Sequence, residues 1–287
     1  TLLATLGCAA AATAWAQAAG SMDAASPRVL ATVRLLAIQH NGRLKPLESF
    51  AREVLDHVTG EARWQDEEPV TTVFSILAEP ERWQDIPVIA VPFRPLREAL
   101  GLADDTTHVS YNELIATRRL MRMLPPIVQK QQRDEKLSML EQETLDVYDR
   151  FVTLNALLEH KLSLLPPPSS SQRTWLLVLE PAGFAAERQQ EIRGAWNALL
   201  GALRSGTPSA GAEAATRLAR VLQTANPAAY PAPWRLRLEV WYHRARPFLV
   251  ARILYLLAAL VLLAGWVRRR PRGFTVGMLL LGAGFFV

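Results

Sequence analysis

The feature that most constrains this chain is a run of 20 residues, Phe248 to Val267, in which Arg252 is the only charged side chain. Backbone polar groups cannot be left unpaired in hydrocarbon, so such a run must close its hydrogen bonds internally as a helix. About 20 residues suffice to cross a hydrocarbon core of about 30 Å. The segment 248–267 is therefore expected to be a transmembrane helix. Arg268-Arg269-Arg270-Pro271-Arg272 follows, and residues 274–287 are apolar again. They read as the start of a second transmembrane helix, cut short at Val287. At the other end, Leu2 to Ala16 is apolar and small, closing on Ala14-Trp15-Ala16. Residues 1–19 are expected to be a signal peptide or an N-terminal transmembrane segment.

Charge placement orients the chain. The formal net charge is +5, but the arginines crowd around the C-terminal apolar segments, which favours a membrane flank and argues against nucleic acid. A short loop follows the positive-inside bias, whereas a large domain is translocated largely regardless of charge. The Arg268–Arg272 loop is thus placed in the cytoplasm and residues 27–245 in the periplasm or an equivalent extracytoplasmic space. Trp241 and Tyr242 then join the outer aromatic belt. The single cysteine, Cys8, lies in the N-terminal apolar segment, so the body offers no disulfide and no thiolate site.

Residues 27–245 read as mainly α. Helices are expected over Ser49–Val58, Val70–Ala78, 185–203 and 212–223. A capping box at Ser110/Glu113 starts another, running to about Met123 and broken by Pro125-Pro126. The next helix is expected to be the longest. Leu137, Leu140, Thr144, Val147, Phe151, Leu154 and Leu158 alternate spacings of three and four, a heptad seam. It is expected to run to Pro166-Pro167-Pro168 as a rod of roughly 50 Å. The seam serves either packing within the chain or a homodimeric coiled coil. Ile86–Val91 and Trp175–Leu179 read as extended, too few for a real sheet.

Chemistry is sparse. The five histidines, His40, His57, His108, His160 and His243, are never at metal-ligand spacing. No Cys-x-x-Cys-His, phosphate loop or nucleophile elbow occurs. Asp66-Glu67-Glu68 reads as solvated turn residues. No catalytic residue and no metal site can be assigned.

One segment stands apart: Gln39-His40-Asn41-Gly42-Arg43-Leu44-Lys45-Pro46, a turn at Asn41-Gly42 and a basic extended stretch stiffened by Pro46, with a helix starting near Ser49. It resembles the Q-x-x-GR-x-KP opening of CcsA/ResC-type cytochrome c biogenesis proteins. Downstream, Pro80-Glu81-Arg82-Trp83-Gln84 followed by Ile86-Pro87-Val88-Ile89 is similar to the P-x-x-W-Q-x-x-P-I-I segment of the same group. The long helix, Trp175, a helical pair and Leu238-Glu239-Val240-Trp241-Tyr242 then follow in the same order. The resemblance covers roughly residues 35 to 265.

That resemblance implies a component of system II cytochrome c maturation in the bacterial inner membrane. Haem would be its cofactor, and a ResB/CcsB-type partner, apocytochrome c and thiol-reducing proteins its partners, beside the lipid bilayer. A full-length member would act as a haem-c synthase. The Trp-rich haem motif and its flanking histidines lie on later helices of the family, so no ligand role passes to the histidines here. Gly42, Arg43, Lys45 and Pro46 are the candidate docking residues. Arg43 and Lys45 would meet haem propionates, an acidic partner or lipid phosphates, or else pack and cap a turn. The competing reading is a membrane-anchored periplasmic interaction protein with no haem chemistry.

Overall fold

The computed structural model describes residues 27–169, 171–245, 247–267 and 271–285. The signal or membrane segment expected over 1–19, the residues 268–270 of the basic loop and the last two residues lie outside them. The chain divides into two compact units, the first ending at Pro233 and the second starting at Trp234.

The first unit is mainly helical, as expected. Helix α1 (Pro27–Val33) leads into a hairpin of β1 (Ala37–His40) and β2 (Arg43–Pro46), then α2 (Leu47–Thr59), α3 (Pro69–Ala78) and the single turn α4 (Pro80–Trp83). Next come β3 (Ile89–Ala90), α5 (Arg94–Leu100), β4 (His108–Val109), α6 (Tyr111–Thr117), α7 (Arg119–Gln132) and α8 (Met139–Leu158). Helices α9 (Ala186–Arg204) and α10 (Pro208–Ala225) close the unit. β1 pairs antiparallel with β2, and β3 with β4, so among the described residues the strands never exceed two-stranded pairs. The segment around Trp175 is extended only as far as a single bridge, Leu165 to Leu176.

Helix α3 sits at the centre. Every residue in it except Thr71 is buried, which fits a sequence apolar on all sides. Phe74 packs against Trp196 of α9 with ring centroids 6.4 Å apart. Trp83 donates its indole N–H to Ser75 Oγ at 3.0 Å, satisfying two polar groups inside the core. The Asp66-Glu67-Glu68 turn is not simply solvated: Glu68 accepts two bonds from Arg34, at 2.8 and 3.0 Å, and Glu67 accepts from Thr72.

The heptad seam is used inside the chain. Thr144, Val147, Phe151, Leu154 and Leu158 of α8 are all buried. Helix α8 packs on α2, α3, α7 and the β3 strand, and Tyr111 stacks on Phe151 at 4.7 Å. The rod, however, is shorter than expected. A capping box at Ser138/Glu141 starts α8, and it ends at Leu158 after 20 residues, or about 30 Å at 1.5 Å per residue. The expected break at Pro125-Pro126 also moves. Both prolines lie inside α7, and the break falls at Arg118, whose φ of 52° ends α6. The carbonyls that these prolines leave without a donor belong to Met121 and Arg122. Both residues are exposed, so water can serve those carbonyls and the helix survives.

In the second unit, α11 (Pro233–Ala245) precedes α12 (Pro247–Val267) and α13 (Pro271–Phe285). Taken together, Pro233–Val267 has a mean hydropathy of 2.4 over its most apolar window and is long and apolar enough to cross a membrane. Its large side chains point outward: Phe248 and Trp266 are each 78% exposed. Helices α12 and α13 pack on each other, and Gly277 permits the approach, since a Cβ there would lie 2.5 Å from Leu262 Cγ.

Candidate functional site

The β1–β2 hairpin carries the four residues singled out by sequence. Asn41 and Gly42 both have positive φ, 51° and 73°, the pairing that a two-residue turn needs to follow the twist of its strands. His40 opposes Arg43, and Ile38 opposes Lys45, so these four share one face of the ribbon. Gln39 and Leu44 share the other.

The two faces have different tasks. On the second, Gln39 grips a distant loop with both ends of its amide. Its Nε2 donates to Arg173 O at 2.9 Å, and its Oε1 accepts from Trp175 N at 2.7 Å. Its backbone N–H donates to Ser163 O at 3.0 Å. Ala37 N donates to the hydroxyl of Tyr230 at 3.0 Å, and Tyr230 packs beside Trp175. The hairpin is thereby fastened to segments more than 120 residues away in sequence.

On the first face Lys45 is buried, 5% exposed, and forms an ion pair with the half-exposed Glu53 of α2. His40 Nδ1 lies 3.9 Å from the same carboxylate, and its ring meets Phe50 edge-on at 5.1 Å. Burial, reinforced by the charge of Lys45, pushes the His40 imidazole below its ordinary value. Pro46 is buried as well and serves as the N-cap of α2, with φ −64° and ψ 149°. The helix consequently starts at Leu47 and not near Ser49. Its first amides donate to Leu36 O and Arg34 O, so backbone carbonyls replace a side-chain cap. Ser49 ends up buried, its Oγ without a partner among the described residues.

Of the four candidate residues, then, Gly42 and Arg43 face solvent at the tip, whereas Lys45 and Pro46 face the interior. Arg43 is a guanidinium held on a stiff ribbon, suited to bidentate contact with a carboxylate or phosphate. Sequence reasoning missed Glu53, the counter-ion of Lys45. Its signal was available: a lysine between apolar neighbours needs a carboxylate within reach.

The remaining histidines are each engaged locally. His57 Nε2 lies 3.0 Å from Asp149, and His243 Nε2 lies 3.9 Å from Glu239. His108 Nε2 contacts Thr59 O at 2.8 Å, and His160 Nδ1 accepts from Trp196 at 3.2 Å. Among the described residues no three His, Cys, Asp or Glu side chains are grouped to hold a metal ion.

No family model matches the chain. It is 24% identical over 149 residues to Protein NrfI of Wolinella succinogenes. The match takes in 48% of this chain and 16% of that relative's length.

Proposed function

We propose that this chain is the extracytoplasmic head and membrane anchor of a system II cytochrome c maturation protein of the CcsA/ResC type, and that the head is a docking scaffold. The observation that carries this reading is the match to Protein NrfI. Support comes from the hairpin bearing Gly42-Arg43-Leu44-Lys45-Pro46, which is pinned on both faces and presents one guanidinium at its tip. Residues 27–245 stand outside the bacterial cytoplasmic membrane and Arg268–Arg272 inside. Haem handling belongs to other parts of the full-length protein, which acts as the haem-c synthase with a ResB/CcsB-type partner. The tip receives an acidic surface of the apocytochrome, of a thiol-reducing protein or of that partner.

Two measurements test this. Deleting the gene and staining c-type haem in gels separates a maturation protein from an interaction protein without haem chemistry. Loss of holocytochrome is expected, and an unchanged haem profile overturns the reading. In the full-length protein, R43E should then lower holocytochrome yield at unchanged abundance. Wild-type yield from R43E removes the tip as the docking element.

A further inference from the structure

The tryptophans of the two units are placed differently. Trp64, Trp83, Trp175 and Trp196 of the first are all buried, whereas Trp234 and Trp241 of the second are more than half exposed, as is Leu238 between them. These three follow one another at spacings of four and three, and the same rhythm continues through Ala245 to Phe248 and Arg252. Pro233–Val267 runs as one helix of 35 residues, so the rhythm draws a single stripe down it. Arg252 stands about five whole turns after Trp234 and is therefore in line with it. Leu236 and Val240 are buried on the opposite side of α11, and α13 meets α12 at Leu262, to one side of the stripe.

The upper part of the stripe lies beyond the reach of lipid. Trp234 precedes Phe248 by about 21 Å along the axis, and still by about 16 Å measured across the bilayer if the helix tilts by about 40°. The headgroup layer adds only about 5–8 Å on each side of the hydrocarbon. Arg252, by contrast, lies about 6 Å inside the apolar run. It is exposed and has no ion pair or hydrogen bond among the described residues. No residue from 240 to 287 is acidic, nor is any from 2 to 16, so the apolar segments of this sequence hold no counter-ion for it. A charge at that depth calls for one.

We infer that the stripe is the docking face for a transmembrane helix of another protein, bearing an aspartate or glutamate level with Arg252 and apolar side chains that continue outward along Trp241, Leu238 and Trp234. The heptad rhythm selects a helix. Continuity across the membrane boundary selects one that crosses it, and the lone guanidinium selects a carboxylate. A second copy of this chain is a poor occupant, because it would set Arg252 against Arg252 where the dielectric is low. Arg235 and Arg237 flank the stripe outside the membrane and favour an acidic border on the same partner. This pairing requires that α12 cross the membrane and does not depend on the maturation role.

The test uses the full-length protein in the membranes of its own host. The photo-crosslinking residue p-benzoylphenylalanine replaces Trp241 or Phe248 on the stripe, or the exposed Val250 on the far side of α12. Mass spectrometry should find the same transmembrane segment of one other protein at 241 and 248 and not at 250, with a carboxylate near the end of its apolar run. R252L, which leaves α12 apolar enough to insert, should reduce both adducts about tenfold, and R252K should retain most of them. Adducts to lipid alone, no adduct, adducts to a second copy or another part of the same chain, a partner segment without a carboxylate, the same adduct from position 250, or adducts unmoved by R252L would each overturn the inference.

Discussion

Replacing Lys45 separates a packed cation from a docking one. The side chain is 5% exposed and paired with Glu53, whose side chain is 46% exposed. K45A removes three buried methylenes at about 0.8 kcal/mol each, an upper figure of about 2.4 kcal/mol. A compact unfolded chain lowers that to about 2 kcal/mol. Losing the ion pair adds at most about 1 kcal/mol, because Glu53 keeps water and its charge is screened. K45A should therefore destabilise by about 2–3 kcal/mol. K45M preserves the stem and forfeits only the pair, so about 0–1 kcal/mol is expected. R43A, exposed at the turn, should change stability by no more than about 0.5 kcal/mol. Chemical denaturation of the full chain in mild detergent, followed by tryptophan fluorescence, gives all three. Holocytochrome yield normalised to protein abundance gives the functional half. K45M is expected to keep both, and R43A to keep stability and lose yield. If K45M loses normalised yield while R43A keeps it, the roles assigned to the two cations are reversed and the reasoning fails.

Alkaline phosphatase fused at Gly206 should be active and at Gly273 inactive; the opposite pattern inverts the topology. Burial, aided by the charge of Arg204, holds His160 below its ordinary 6.5, and its neutral Nδ1 accepts from Trp196. Stability from this group is complete above pH 6.5 and is lost as pH falls, because the unfolded chain takes up the proton first. H160N keeps an acceptor and tolerates the φ of 56°, so its melting temperature should fall less steeply with acid than that of the wild type. Q39A removes both amide bonds to the 173–175 backbone and should cost about 2 kcal/mol, with faster tryptic cleavage at Arg173. Unchanged cleavage would show that Trp175 and Tyr230 hold the loop without Gln39.

What the sequence by itself determined is what neighbouring residues decide. The Asn41-Gly42 turn follows from backbone sterics, the Ser110/Glu113 cap from hydrogen-bond reach within one helical turn, and the membrane-length helix from apolarity broken only at Arg252. The helix over Val70–Ala78 was likewise expected from the sequence, whereas its central, buried place is known only from the contacts. Ser138/Glu141 was equally legible, and reading it would have shortened the rod. Tertiary structure decided the rest, because the groups concerned act across long separations. Pro125 and Pro126 stay helical since their orphaned carbonyls face water, a matter of which side of α7 packs. Lys45 looks like Arg43 in sequence, yet one is buried and the other exposed, because α2 folds back to bring Glu53 over β2. Charge is written in the sequence, but whether it meets a counter-ion or water depends on what the fold places beside it.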